Sequence, residues 1–388
     1  MSRAIAIVVS STVIGSVGLM MAIALGCQSG TKVADPAVAP GAGQPPSWTQ
    51  AMVQLRDALI RLEPFLVDEK KFGAVENEEQ LKKDIAKLAE ISKNVVHNPT
   101  LISRDPTVRF VASQFTQDIQ RSAESFEMGK KEFSRYQLMK VTGYCIECHT
   151  RTQQGPQYEG PAQNKNLQTL ARFQKAEYLM SVRYFDEALK LLEEEISAEK
   201  GGITFQRAER AAKYGLMVTV QYKQDADRAL EFVKKLETSK GVPFALKEKS
   251  KIWKKSIYEW KAEKSSKASA KGIALYRKLA TKKDSEVDLM RALAGLLPWL
   301  STDLKPDELG EGLYLVGSCY EVLSDLSFFT IHENYYESCV RSVPHTPWAK
   351  KCYEKLEDSI RFGYSGTGGT HIPVEVQMYL DNLKKGLD

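Results

Sequence analysis

An all-α chain is what the sequence predicts, and three observations predict it. Apolar residues recur at three- and four-residue spacing through one stretch after another, as amphipathic helices require. Helix-starting and helix-stopping residues flank those stretches. In the second half of the chain short helical stretches follow one another in pairs, the pattern of stacked helical repeats. The body from Ser47 to Asp388 is too long for one typical core, so two or more domains are expected.

The chain opens with Met1-Ser2-Arg3 and an apolar run from Ala4 to Leu25 broken only by Ser, Thr and Gly. That is the n-region and h-region of a secretory signal peptide. Ala24-Leu25-Gly26-Cys27 at its end resembles a bacterial lipobox, in which the Cys is lipidated and becomes the mature N-terminus. Ala24 departs from that pattern, which usually has Leu. The alternative is an uncleaved anchor helix, since about 20 apolar residues span a bilayer. Either way residues 1–27 export the chain. Residues 28–46, rich in Ser, Gly, Ala and Pro, read as a flexible tether.

Residues 47–152 contain four helical patterns. Ser47 is an N-cap before Met52, Leu55, Leu59, Leu62 and Leu66. Glu76 to Val96 carries Leu81, Ile85, Leu88, Ile91 and Val95 on one face. Asp105-Pro106 opens the third, with Phe110, Phe115, Ile119, Ala123 and Phe126 inward and Gly129 at its end. The fourth runs from about Lys130 through Tyr136, Met139, Val141 and Tyr144. Four such helices with short loops predict an up-down-up-down bundle.

The fourth helix leads into Cys145-Ile146-Glu147-Cys148-His149. Two thiols three residues apart add to the two vinyl groups of a haem, and the adjacent imidazole reaches the iron. A thioredoxin-like pair would sit beside a βαβ pattern, which this stretch lacks, and a structural zinc site needs a second Cys or Cys/His pair. The expected cofactor is therefore one covalent haem c, with Cys145 and Cys148 as thioethers and His149 as proximal ligand.

Together these residues resemble the cytochrome c prime family and its non-covalent b-type four-helix relative. The resemblance covers about Ser47 to Thr152 and rests on Ala51 to Leu59 at the start of helix one, Asp105-Pro106, the Phe-rich third helix, and the Gly129-Lys130 turn at its distance from His149. It implies a proximal His at the end of the fourth helix. For the opposite face of the iron, bundle geometry puts Met128 and Met139 at the far end and leaves Met52 and His97 near it. The resemblance implies Met52, because low-spin members of the family use a Met early in helix one. If neither binds, the iron is five-coordinate with an apolar distal pocket, as in gas-binding members.

Residues 153–166 read as a linker, and residues 167–388 as an α-solenoid. Leu170 to Leu179 followed by Tyr184-Phe185-Asp186-Glu187-Ala188-Leu189 resembles a tetratricopeptide unit. Arg207 to Tyr222 with Asp225 to Leu230 suggests a second, Ile252 to Trp260 with Ile273 to Leu279 another, and Gly312 to Leu323 with Phe328 to Val343 a late one. A Gly/Thr/Ser-rich stretch from Gly363 leads to a last helix from Pro373 to Leu387.

Charge is uneven along this region. Residues 201–283 hold 21 Lys/Arg against 8 Asp/Glu, net +13, and residues 284–388 hold 9 against 17, net −8. Either two solvated faces compensate each other on folding, or the basic one meets an anionic partner such as a lipid headgroup or an acidic redox protein. An exported chain is not expected to meet nucleic acid. Of six cysteines, Cys319, Cys339 and Cys352 remain after the lipid and haem candidates, so at most one disulfide forms among them: Cys319 with Cys339, or Cys339 with Cys352.

The expected function is a membrane-tethered, periplasmic one-electron carrier whose repeats bind a protein partner. A haem-based sensor acting through the repeats, and a repeat scaffold with structural haem, are the alternatives. There is no catalytic carboxylate pair, nucleophile–base arrangement or phosphate loop, so an enzyme is not expected. Cys27→Ser should alter processing or release the chain from membranes. Intact Met1 to Leu25 in the mature protein, read by mass spectrometry, would instead mean an uncleaved anchor.

Overall fold

Helix after helix follows from Trp48 to Lys385 in the computed structural model, which describes residues 48–95, 106–151, 165–197, 203–265, 272–323 and 331–387. The signal and tether, Cys27, the Ser47 and Asp105 caps, His97 and most of the linker lie outside the described residues. The fold is all-α, and the strands among the described residues are one antiparallel pair, β1 (Ser365–Gly366) with β2 (Gly369–Thr370). No described helix is long and apolar enough to cross a membrane.

The first helices are α1 (Trp48–Leu66), α2 (Glu69–Gly73), α3 (Glu78–Ser92) and α4 (Pro106–Glu127). Leu55, Leu59, Leu62 and Leu66 of α1 are buried, as are Leu81, Ile85, Leu88 and Ile91 of α3 and Phe115, Ile119 and Phe126 of α4. The apolar spacing therefore marks the inward face of each. Gly129 ends α4 with φ +74°, a left-handed turn that favours glycine. α1 packs on α3, and α3 on α4.

The expected fourth helix is two helices, α5 (Lys131–Met139) and α6 (Val141–Arg151). The break falls at Lys140, where the amides of Lys140 and Gly143 bond the carbonyls of Gln137 and Lys140 across tight turns. The second helix can then turn on its own axis: Tyr136 and Met139 of α5 are exposed while Val141 and Tyr144 of α6 are buried.

After α7 (Lys165–Gln168) come α8 (Arg172–Ser181) and α9 (Phe185–Ser197), then α10 (Phe205–Leu216), which a π-helical turn, Met217–Tyr222, extends. Next are α11 (Ala226–Thr238), α12 (Phe244–Ser265), α13 (Ile273–Ala280), α14 (Glu286–Leu300), α15 (Pro306–Val322), α16 (Ile331–Ser342), α17 (Pro347–Gly363) and α18 (Val374–Lys385). Sequential helices pack on each other, α8 with α9, α11 with α12, α13 with α14, α15 with α16, and α16 with α17. Two of these helices, α14 and α17, escaped the pairing read from sequence. α14 is apolar nearly all round, because it is enclosed by neighbours rather than facing solvent on one side.

Two apolar clusters result. One gathers Leu55 to Tyr144 and is completed by Leu167, Leu170, Tyr178 and Val182. The other runs from Ile146 and Phe173 to Leu383. Residues 45–388 form one compact unit, so the two clusters share a body. Cys339 and Cys352 form a disulfide between α16 and α17, and Cys319 is a buried free thiol.

Part of the charge imbalance is answered internally. Lys249 meets Glu286 at 2.5 Å, Lys282 meets Asp288 at 3.3 Å, and Arg277 grips Glu311 with two hydrogen bonds of 2.5 and 2.9 Å. Each joins the basic stretch to the acidic one.

One buried acid departs from this pairing. Burial, and behind it the Glu177 carboxylate of α8, pushes Glu63 of α1 up to about 8. The folded form therefore holds a proton that the unfolded chain releases near pH 4.5, and this contribution to stability is lost as pH rises from there through 8. Glu63→Gln should remove that loss, which runs at no more than about 1.4 kcal/mol per pH unit. Denaturation midpoints of the two proteins should converge near pH 4 and separate toward pH 9. A constant offset would place the effect elsewhere.

Candidate functional site

α6 carries the Cys145-Ile146-Glu147-Cys148-His149 sequence as continuous helix. Residues three apart share a helix face. Cys145 and Cys148 accordingly pack together against the first apolar cluster, whereas Ile146 belongs to the second. The helix is thus a wedge between the two clusters, with its thiols on one side and its intervening residues on the other. It packs against α4, α8, the π-helical turn and α14.

Both thiols are half-buried and form no disulfide. Burial, then the neighbouring Cys148, pushes Cys145 up to about 12, so it is a neutral thiol at ordinary pH. On the first-cluster side Tyr144 anchors the helix by donating a 2.6 Å hydrogen bond to Asp118 of α4.

His149 is oriented by the C-terminal end of α8. Its Nδ1 lies 2.5 Å from the backbone carbonyl of Ser181. Burial, then the Arg183 guanidinium, lowers its basicity to about 4, so the ring is neutral at pH 7. A carbonyl only accepts, so Nδ1 carries the proton and donates it. The lone pair is then on Nε2, the tautomer a metal-ligating imbedded imidazole needs. Arg183 further donates to the His149 carbonyl at 3.3 Å.

Glu147 and Arg151 form a buried ion pair on the opposite face, 2.8 Å apart, with side chains 7% and 2% exposed. A hydroxyl from each of two distant helices joins them. Tyr320 of α15 donates to Glu147 at 2.5 Å, and Arg151 donates to the hydroxyl of Tyr335 of α16. The two tyrosine rings stack 5.5 Å apart, and the guanidinium lies over both, at 5.7 and 5.5 Å.

Met52 is half-buried on α1 against the same cluster as Cys145 and Cys148. Met128 and Met139, set aside on geometric grounds, are exposed. His97 and Cys27 lie outside the described residues. The spacing of Glu147 and Arg151 could have suggested a helical ion pair. Nothing local in the sequence points to Ser181, Arg183, Tyr320 or Tyr335.

The donor set suits haem c. It has two adjacent thiols on one face and a neutral imidazole with Nε2 as its lone-pair nitrogen. Among the described residues no group of three or more His, Cys, Asp or Glu is arranged to hold a bare metal ion. No protein-family model, no curated protein and no solved structure matches the chain.

Removing one member of a buried ion pair leaves the other charged and unpaired, typically at a cost of about 3–5 kcal/mol. Arg151→Met should therefore destabilise the fold by that order. Arg151→Met with Glu147→Leu should recover much of the loss, measured by urea denaturation. Additive single-mutant costs would mean the pair is not coupled.

Proposed function

We propose that this chain is an exported, membrane-tethered c-type cytochrome that carries one covalent haem for one-electron transfer. In this reading Cys145 and Cys148 hold the haem as thioethers, His149 Nε2 is the proximal ligand, and Met52 is the sixth. Lipidation at Cys27 tethers the chain on the periplasmic side of a bacterial membrane. α1, α3, α4 and the α5–α6 pair make the four-helix haem bundle, and the helices from α8 onward make a tetratricopeptide-like solenoid that binds a protein partner.

The observation that carries the reading is the hydrogen bond from His149 Nδ1 to the Ser181 carbonyl, within a Cys-x-x-Cys-His sequence whose thiols share one face. Bound haem supplies an iron that cycles between ferrous and ferric. The protein's part is to hold the imidazole in one tautomer and to exclude water with the first apolar cluster. Sulfur and imidazole ligands remain suited to both oxidation states and raise the potential relative to two imidazoles.

A sensor that passes a gas or redox signal through the repeats is the second reading. It is favoured by the direct ties of α6 to the end of α8 and to α15 and α16. Optical spectra with and without carbon monoxide separate the two. A low-spin iron indifferent to the gas belongs to a carrier, and a high-spin iron that binds it belongs to a sensor.

Haem should resist acidified organic extraction from the wild-type chain. It should become extractable, or be absent, in the double variant Cys145→Ala with Cys148→Ala. Covalent haem in that variant would defeat the proposal. Met52→Ala should open the sixth position, turning the oxidised spectrum high-spin, while a His97 substitution leaves it unchanged. The reverse pattern would make His97 the ligand.

A further inference from the structure

We propose that Arg183 is a positioning residue that sets the reduction potential of iron held at His149, an inference that rests on the covalent-haem reading. Arg183 stands in the loop between α8 and α9 and is 5% exposed. One guanidinium nitrogen donates to the His149 carbonyl at 3.3 Å and another to the Tyr222 hydroxyl at 3.4 Å. The cation rests against the rings of Phe185 and Tyr222, 6.0 and 5.7 Å from their centroids. It is thus fixed beside the backbone of the iron ligand by three elements: α6, the π-helical turn and the start of α9.

Losing an electron raises the iron's charge by one. A fixed cation nearby opposes that step, the more so where water is excluded and the effective dielectric is low. Arg183 therefore favours the reduced state and raises the potential. Its backbone is left-handed, φ 69°, but Gln224 before α11 has the same conformation, φ 53°. The conformation belongs to the turn between paired helices. The guanidinium aimed at α6 is what distinguishes position 183.

That distinction designs the test. Asn tolerates left-handed backbone, so Arg183→Asn removes the charge while keeping the turn. Redox titration of the full-length protein with its haem should show this variant oxidised about tenfold more readily, equivalent for one electron to ~59 mV downward. Arg183→Lys should retain most of the wild-type potential, and Gln224→Asn all of it. Should Arg183→Asn fold poorly, Arg183→Gly relaxes the turn altogether and carries the same expectation. An unmoved potential in a charge-free variant that retains covalent haem would overturn the inference, as would a Lys variant that falls as far as the Asn variant. A wild-type chain without covalent haem would overturn the haem reading itself, a separate and distinguishable result.

Discussion

The buried pair of Glu147 and Arg151 is the interaction on which the arrangement of the rest depends. Two charges removed from water repay their desolvation only when geometry is good and their remaining hydrogen-bonding capacity is met. One turn of helix supplies the geometry. Tyr320 and Tyr335 supply the remaining bonds, and they come from helices more than 170 residues further along the chain. α15 and α16 must therefore dock on α6 for the pair to be satisfied. A polar network of this kind contributes more to specifying one arrangement than to net stability, because misplaced docking leaves charges stranded.

With α6 held from that side, its other faces become defined. Tyr144 fastens it to α4, and the end of α8 and the turn after it reach His149 through Ser181 and Arg183. The helix that carries the Cys-x-x-Cys-His sequence thus owes its placement to both apolar clusters at once. Residues around His149 are thereby tied by hydrogen bonds to the helical region beyond it.

Much of this was legible in the sequence and some was not, for physical reasons. Leu55, Leu59, Ile85, Leu88, Phe115 and Ile119 repeat at the helical period and are buried, because a helix with one solvated face must segregate its apolar residues. The Cys145-to-His149 sequence was visible because its spacing is fixed along one helix. α14 was missed because an enclosed helix loses that asymmetry. The break at Lys140 was missed because Val141 and Tyr144 continue an apolar pattern across the turn. Ser181 acts through a backbone carbonyl, which every residue has, so no residue type could mark it. Arg183, Tyr320 and Tyr335 are brought to α6 only by tertiary packing. The choice between Cys319 and Cys352 as partner of Cys339 was likewise decided by how α16 and α17 meet.

The opposite charges of residues 201–283 and 284–388 have a consequence for how the chain can be divided. Glu286, Asp288 and Glu311 are answered by Lys249, Lys282 and Arg277, each from the preceding stretch. Neighbouring helices are in this sense addressed to one another. The helical units are consequently not interchangeable parts of a uniform stack. Cutting the chain near residue 283 would leave a strongly cationic remnant whose Lys249, Lys282 and Arg277 had lost these partners, so that affinity for anions in such a fragment would report severed internal contacts as well as any property of the whole protein.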